Sequence, residues 1–327
     1  MIKYVYVLVS SAKDYFYEEL LISVHSLRYY NKDAYICLLT DNKTADTLIE
    51  TRQEVLQYIK EYIKVPFSNN IPPKERSRYL KTSMRKYIEG DFWFIDCDTV
   101  ICDVMKAQSC ELGMVLDKHT NTTDYVQESI WTNAKKMGYS ADWNKKHFNS
   151  GVIWVKDTKN TKRFFELWNK LYEETAKNGI TIDQTSLNET NCRMKGIITE
   201  LSGEWNCQVN CGIQYIAGAK VLHYLGYQPL SGQFAYFNKL PFMMADEEKL
   251  LSVKNSGKVS IEIENIIKNP KNSFYTSVIL PNNSITYNII YSNHMRLQKF
   301  VYIKMNAMWR LNEKFLEWIF KKVFHRD

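Results

Sequence analysis

An α/β architecture, an open sheet flanked by helices, follows from three features of this 327-residue chain. Apolar runs of strand length alternate with segments of helical periodicity, and several of those runs end in polar residues. One of them, Phe92 to Ile95, stops abruptly at Asp96-Cys97-Asp98. Alternation of this kind marks strand, helix, strand crossovers, and ligands of such sheets bind outside the carboxyl ends of the strands.

Tyr4 to Val9 is rich in β-branched and aromatic residues and lacks a small-residue cleavage site, so it reads as a strand rather than a signal peptide. Between Tyr15 and Tyr30, Phe16, Leu20, Leu21, Val24 and Leu27 recur at helical spacing, and Ala34 to Leu39 returns to strand before Thr40-Asp41. A unit of this length predicts a right-handed parallel crossover. Thr44 to Ile59 predicts a second helix, Tyr62 to Val65 a short strand, and Ser77 to Ile88 a third helix leading into the Asp96 strand. Gly113 to Leu116 and Phe148 to Val155 are further strands, Lys162 to Lys177 is a helix, and Thr181 to Asn188 holds Asp183-Gln184 near the start of another. Val221 to Leu225 is a strand running into a loop at Gly226. Patterning then weakens and Asn and Ser accumulate, which divides the chain into residues 1–228, 229–294 and a basic aromatic tail, 295–327.

A composition of 45% hydrophobic and 14% aromatic residues is that of a globular protein, and no apolar stretch approaches the roughly 20 residues of a membrane-spanning helix. Seven scattered cysteines without a Cys-x-x-Cys pair predict reduced thiols, a cytoplasmic location and no zinc site. Net charge is +7, and the eight Lys or Arg against three acids between Met295 and Asp327 account for +5 of it. A nearly neutral body argues against nucleic acid as a partner. In the tail, Phe300, Ile303, Met308, Trp309, Leu311, Phe315, Trp318 and Phe324 are interleaved with Lys304, Arg310, Lys314 and Lys321, the pattern of a basic amphipathic helix. Such a helix over 299–324 either lies in an anionic membrane surface, placing the protein peripherally on the inner face of the plasma membrane, or packs on the body.

The chemistry-bearing residues collect at the predicted strand ends. Asp96 and Asp98, two apart, share a face and make an oxygen site for a hard divalent cation, which would hold a phosphate. Asn149 of Asn149-Ser150-Gly151 offers an amide that donates and accepts, and Gly151 permits close approach. Thr181 or Asp183, taken alone, reads as the cap of the helix that follows. Lys81 and Arg85 lie one turn apart, and for Arg85 a solvated basic face is the simpler reading.

Asp96-x-Asp98, Asn149-Ser150-Gly151, Asp183-Gln184 and His223-x-x-Gly226, in that order, resemble the retaining glycosyltransferases of family 8, the glycogenin and bacterial lipooligosaccharide galactosyltransferase type, over about residues 3–228. The resemblance implies a GT-A fold, a Rossmann-like mixed sheet flanked by helices, here with the amphipathic tail appended. It implies a UDP-sugar donor, Mn2+ or Mg2+, and metal ligation by Asp96, Asp98 and His223. Asp183, Gln184 and Asn149 would lie beside the transferred sugar. Ser10, Ser11 and Asp41 would hold the nucleoside, with Tyr15 or Tyr17 stacking on the base, and Lys81 and Gly226 would contact the diphosphate. The activity implied is hexosyl transfer with retention to a saccharide or lipid-linked saccharide acceptor, in bacterial surface polysaccharide or lipopolysaccharide synthesis. Residues 119–147 and those after 229 are expected to shape the acceptor pocket. One departure stands out: Pro229 occupies the place of the lysine that usually follows the loop glycine. Two other readings remain, a haloacid dehalogenase-like phosphatase with Asp96 as nucleophile and Asp98 as general acid, and a nucleotide-sugar-binding module without turnover.

Overall fold

The computed structural model describes residues 1–68, 70–119, 128–139, 146–208, 215–216, 218–224 and 247–270, together with residues 304, 307, 308, 311, 312, 314, 315 and 318. β1 (Lys3–Leu8) is followed by α1 (Phe16–Tyr30) and then by β2 (Tyr35–Asp41), which pairs parallel to β1 along its whole length. A short helix, α2 (Asn42–Asp46), and two 3-10 turns at Glu50–Arg52 and Glu54–Tyr58 lead to β3 (Ile59–Val65), parallel to β2. α3 (Pro73–Ser83), with proline at its first position, returns the chain to β4 (Phe92–Ile95) on the other side of β1. With β6 (Leu112–Leu116), β7 (Phe148–Val155) and β8 (Thr199–Glu200), the sheet has seven strands in the order β3-β2-β1-β4-β7-β6-β8. It is mixed because β7 runs antiparallel to both neighbours. Strand order reverses at β1, so the carboxyl ends of β1 and β4 open onto the crevice where ligands of such sheets bind.

Alternation along β1 and β4 sends Val5, Val7, Phe92 and Phe94 to one face. There they pack in one cluster with Leu80 of α3 and with Phe164, Phe165 and Trp168 of α5 (Lys159–Lys177). Tyr6 faces the other way, and its hydroxyl meets Ser23 of α1 at 3.1 Å. Helices therefore cover both faces, which is why β4 is apolar and buried at every position. A smaller sheet, β5 (Thr99–Ile101), β10 (Val221–His223) and β9 (Cys207–Gln208) in the order β5-β10-β9, stands at the end of β4.

The continuous helix expected over 44–59 does not form. Thr44 spends its hydroxyl on the Ser10 carbonyl and accepts from the Ser10 amide, Thr47 bonds back to the Thr44 carbonyl, and Glu50 takes a φ of 49° that no α-helix accommodates. β3 begins at Ile59, three residues before the expected start at Tyr62. Within 119–147 the described residues include α4 (Glu128–Lys136). α6 (Asp183–Arg193) begins after Thr181, the expected start, and runs past Asn188, the expected end. Of the segment 229–294, α7 (Glu247–Ser256) and α8 (Ile261–Lys268) are described, and they lie against α1 and the loop after β1. Tyr30 of α1 donates to the carbonyls of Ile267 and Lys268, and Lys254 of α7 donates to the Asp14 carbonyl at 2.8 Å.

Residues 213–218 and 280–327 form a second compact unit. Its described residues between 304 and 318 are helical; Met308, Leu311, Phe315 and Trp318 are exposed, with the Phe315 and Trp318 rings stacked. Among the described residues no helix is long and apolar enough to cross a membrane.

Candidate active site

The pairing of β4 with β7 continues past the strand end, where the Asp96 amide donates to the Gly151 carbonyl at 2.8 Å. Thr99 Oγ1 closes the following bend by donating to the Asp96 carbonyl. β10 then sets His223 opposite Thr99, and the Tyr224 amide donates to the Asp98 carbonyl. Asp96, Asp98 and His223 each turn a ligand atom inward, and the three atoms lie within 4.8 Å of one another. Two carboxylates and an imidazole at this separation fit a divalent cation, and the mixed oxygen and nitrogen donors suit manganese better than calcium. Gly151 admits the ring: a Cβ there would overlap His223 Cε1 and stand 2.7 and 2.9 Å from its two nitrogens.

The three groups are electrostatically interdependent. Burial pushes the Asp96 carboxyl above the usual carboxylate value, more than Lys81 offsets. Burial acts in the same direction on Asp98, but His223 outweighs it and holds the carboxyl low. Burial works against a charged His223, yet Asp98, 3.3 Å from Nε2, raises its pKa overall.

Asp183 is the first residue of α6 rather than its cap, and the N-cap residue Ile182 has no side-chain bond to the helix. Its carboxylate instead takes the Ser150 hydroxyl at 3.0 Å, the Arg78 Nε at 3.1 Å and Lys81 at 4.0 Å. Burial would raise this carboxyl; Arg78 and Lys81 overcome it and keep the group ionised. Gln184 follows, half-buried. Lys81 is buried and bonds both oxygens of Asp96, at 3.1 and 3.0 Å, so it offsets part of the charge of the Asp-x-Asp pair. Asn149 donates from Nδ2 to Asp117 at 3.0 Å and accepts at Oδ1 from the Gly151 amide and from Asn206.

The loop after β1, expected to hold the nucleoside, is a knot around Asp14, whose carboxylate accepts from Ser10 Oγ and from the amide and hydroxyl of Ser11. Arg52, stacked on the Tyr17 ring, donates to Ser10 Oγ at 2.7 Å, and Lys254 sits over the Tyr15 ring. Asp41 is placed differently from the expectation. It is fully buried, one oxygen caps α2 through the Thr44 amide, and the other pairs with Arg76, so both are committed to the fold. Arg85 is likewise buried rather than solvated, bonding the carbonyls of Ile88 and Gly90 and pairing with Asp157. Gly226 and Pro229 lie outside the described residues.

No protein-family model and no curated protein sequence matches this chain. Among solved structures, the galactosyltransferase LgtC in complex with donor and acceptor sugar analogues is similar at 15% identity and a TM-score of 0.50, over 81% of this chain and 99% of that one. An active-site mutant of LgtC is similar at 13% identity and a TM-score of 0.50, over 80% and 99% of the two chains. Mouse xyloside xylosyltransferase 1, in its apo form, is similar at 11% identity and a TM-score of 0.47, over 70% and 99%. The chain has a GT-A glycosyltransferase fold.

Within this GT-A fold, three site residues escape the sequence reading. Arg78 is one turn before Lys81 on α3, and that spacing was the available signal. Asp117 immediately follows β6, but no second carboxylate marks it. It is followed by two left-handed residues, Lys118 (φ 53°) and His119 (φ 55°). Gln208 braces this turn, accepting from the Lys118 amide and donating to the Leu116 carbonyl. Asn206 is fully buried between Asn149 and His223, and nothing in its sequence context announces it.

Proposed function

We propose that the chain is a metal-dependent glycosyltransferase that moves a hexose from a UDP-sugar to a saccharide acceptor with retention of anomeric configuration. The observation that carries this reading is the convergence of Asp96, Asp98 and His223 at the carboxyl end of β4 in a GT-A fold. A divalent cation bound there supplies positive charge where the diphosphate leaves. Arg78, a third exposed between Asp183 and the Asp-x-Asp pair, is the protein cation on the same side. Asp183, kept ionised, accepts from sugar hydroxyls; Asn149 and Asp117, locked to each other, present a second polar edge. Asp183 is held by Arg78, Ser150 and Lys81, an environment suited to orienting a sugar rather than attacking its anomeric carbon. Retention is then served by internal return, in which the leaving phosphate oxygen takes the proton of the incoming hydroxyl on the same face.

The acceptor we infer is a growing surface glycan on a lipid carrier, reached by an enzyme resting on the inner membrane face through its tail. Exposed Met308, Leu311, Phe315 and Trp318 at spacings of a single helical stripe, with Lys304 and Lys314, support that placement. A donor screen tests the central claim: a panel of nucleotide sugars with Mn2+ or Mg2+, followed by release of free nucleoside diphosphate, with Asp98→Asn as control. UDP release from one sugar, dependent on metal and lost in the variant, is the expected result. Release of inorganic phosphate and trapping of an Asp96 phosphoenzyme would replace this reading by the phosphatase. Binding without transfer to lipid-linked or soluble acceptors would replace it by the binding module.

A further inference from the structure

Asn206 has no role in the reading above, and its hydrogen bonds decide the state of His223. A backbone N–H only donates, so the Gly151 amide, 2.9 Å from the Asn149 side chain, fixes the atom it meets as the carbonyl Oδ1. That same oxygen lies 2.8 Å from Asn206, which must therefore present its NH2. Asn206 Oδ1 is thereby turned to His223 Nδ1 at 2.8 Å, and an oxygen acceptor there requires the proton to sit on Nδ1. The remaining ring nitrogen, Nε2, faces Asp98 at 3.3 Å within the three-ligand cluster. At the other end of the chain, Asn149 Nδ2 donates to the Asp117 carboxylate, so every bond from His223 to Asp117 runs in one direction.

We propose that Asn206 is a positioning residue that locks His223 in the Nδ1–H tautomer and so aims the Nε2 lone pair at the cation. The ring's partner on its far side sets both tautomer and orientation, as outer partners do for metal-binding histidines in general. Asn206 is fully buried, and the ring lies close against Gly151, in the space a Cβ would take, so close packing accompanies the hydrogen bond. The proposal rests on the metal reading above for its purpose, whereas the first readout of its test does not.

The test is a long-range 1H–15N correlation spectrum of the metal-free, [15N]histidine-labelled full chain, at a pH where His223 is neutral, with its signals identified by their loss in His223→Gln. Protonated Nδ1 and a pyridine-like Nε2 are expected; a protonated Nε2 overturns the proposal. Titration with Mn2+ alone gives the second readout. Asn206→Leu is expected to bind about 10–100-fold more weakly, whereas Asn206→Asp, which still accepts from Nδ1–H, stays near wild type. Equal affinity of the Leu variant and wild type, or an Asp variant as weak as Leu, overturns the proposal. A wild-type protein with the Nδ1–H tautomer but no Mn2+ binding would sustain the lock and sink the metal-dependent reading instead.

Discussion

Gly151 is a glycine because of a ring rather than a turn. The sequence marks Asn149-Ser150-Gly151 as a tight polar element, and Gly151 does lie where the pairing of β7 with β6 shifts register, but the space its Cβ would take belongs to His223. Gly151→Ala is expected to weaken Mn2+ binding at least tenfold and to destabilise the fold by about 1–3 kcal/mol, the usual range for overpacking a close-fitted site. Titration with Mn2+ and urea unfolding measure the two effects. Loss of stability without loss of metal affinity would mean that the imidazole shifts without leaving the cluster. What could be read from sequence at this scale were residues whose chemistry is distinctive: two carboxylates at a strand end, and a histidine that the linear order of motifs picks out. Arg78, Asp117 and Asn206 are common residue types whose significance comes from neighbours far away in the chain, and a single sequence carries no record of those neighbours.

α1 shows how an element can serve the site from behind. Its sheet-facing side is not uniformly apolar: Ser23 and Ser26 are fully buried. The Tyr6 hydroxyl meets Ser23, Ser23 meets Thr99 at 2.9 Å, and Thr99 donates to the Asp96 carbonyl, while the Ile101 amide donates to Ser26. These bonds fasten the Asp-x-Asp bend to the helix. Thr99→Val keeps the shape but leaves the Ser23 hydroxyl and Asp96 carbonyl short of a partner, an expected loss of about 1–3 kcal/mol. Thermal unfolding would register this as a fall in Tm, and an unchanged Tm would show that water takes over the bonds. Helix periodicity located α1 and α5 to within a few residues, because each buries an apolar stripe; it gave no such signal for α6, whose buried face is mostly Asp, Thr, Ser and Glu, and it failed at 44–59, where threonine hydroxyls compete for the backbone. The junction between β7 and α5 carries a pH signature. Asp157 accepts from the Gly90 amide and pairs with Arg85 and Lys162. Partial burial opposes ionisation there, but those three contacts bring its pKa down to about 2 from 3.8. A carboxyl depressed in the folded state stabilises fully above its unfolded pKa and loses that contribution as pH falls through the folded one. Asp157→Asn should therefore lower stability at neutral pH, and the gap from wild type should narrow between about pH 4 and pH 2. Urea midpoints across that range measure it, and a constant gap would assign the effect to shape rather than charge.

At the scale of the whole molecule the chain divides its labour by charge. The body is close to neutral, and it gathers Asp96, Asp98 and Asp183 in one crevice, where Lys81 and Arg78 offset part of the negative charge. The excess basic charge lies instead in residues 295–327, among large apolar side chains. On the peripheral placement proposed above, the basic and apolar residues of that separate unit would draw the protein to anionic lipid. Polybasic attraction contributes about 1 kcal/mol per Lys or Arg near an anionic surface and decays within a Debye length, and buried aromatic and aliphatic side chains add to it. Removal of residues 299–327 is therefore expected to abolish co-sedimentation with vesicles containing anionic lipid. It should leave Mn2+ affinity unchanged, and leave transfer to a soluble acceptor largely intact while transfer to a lipid-linked acceptor in vesicles falls steeply. In the full chain, 0.5 M salt should weaken vesicle binding without releasing it entirely, because the apolar stripe remains. If the truncated protein sediments with vesicles as the full chain does, the tail packs on protein, and its exposed Leu311, Phe315 and Trp318 face a partner other than lipid.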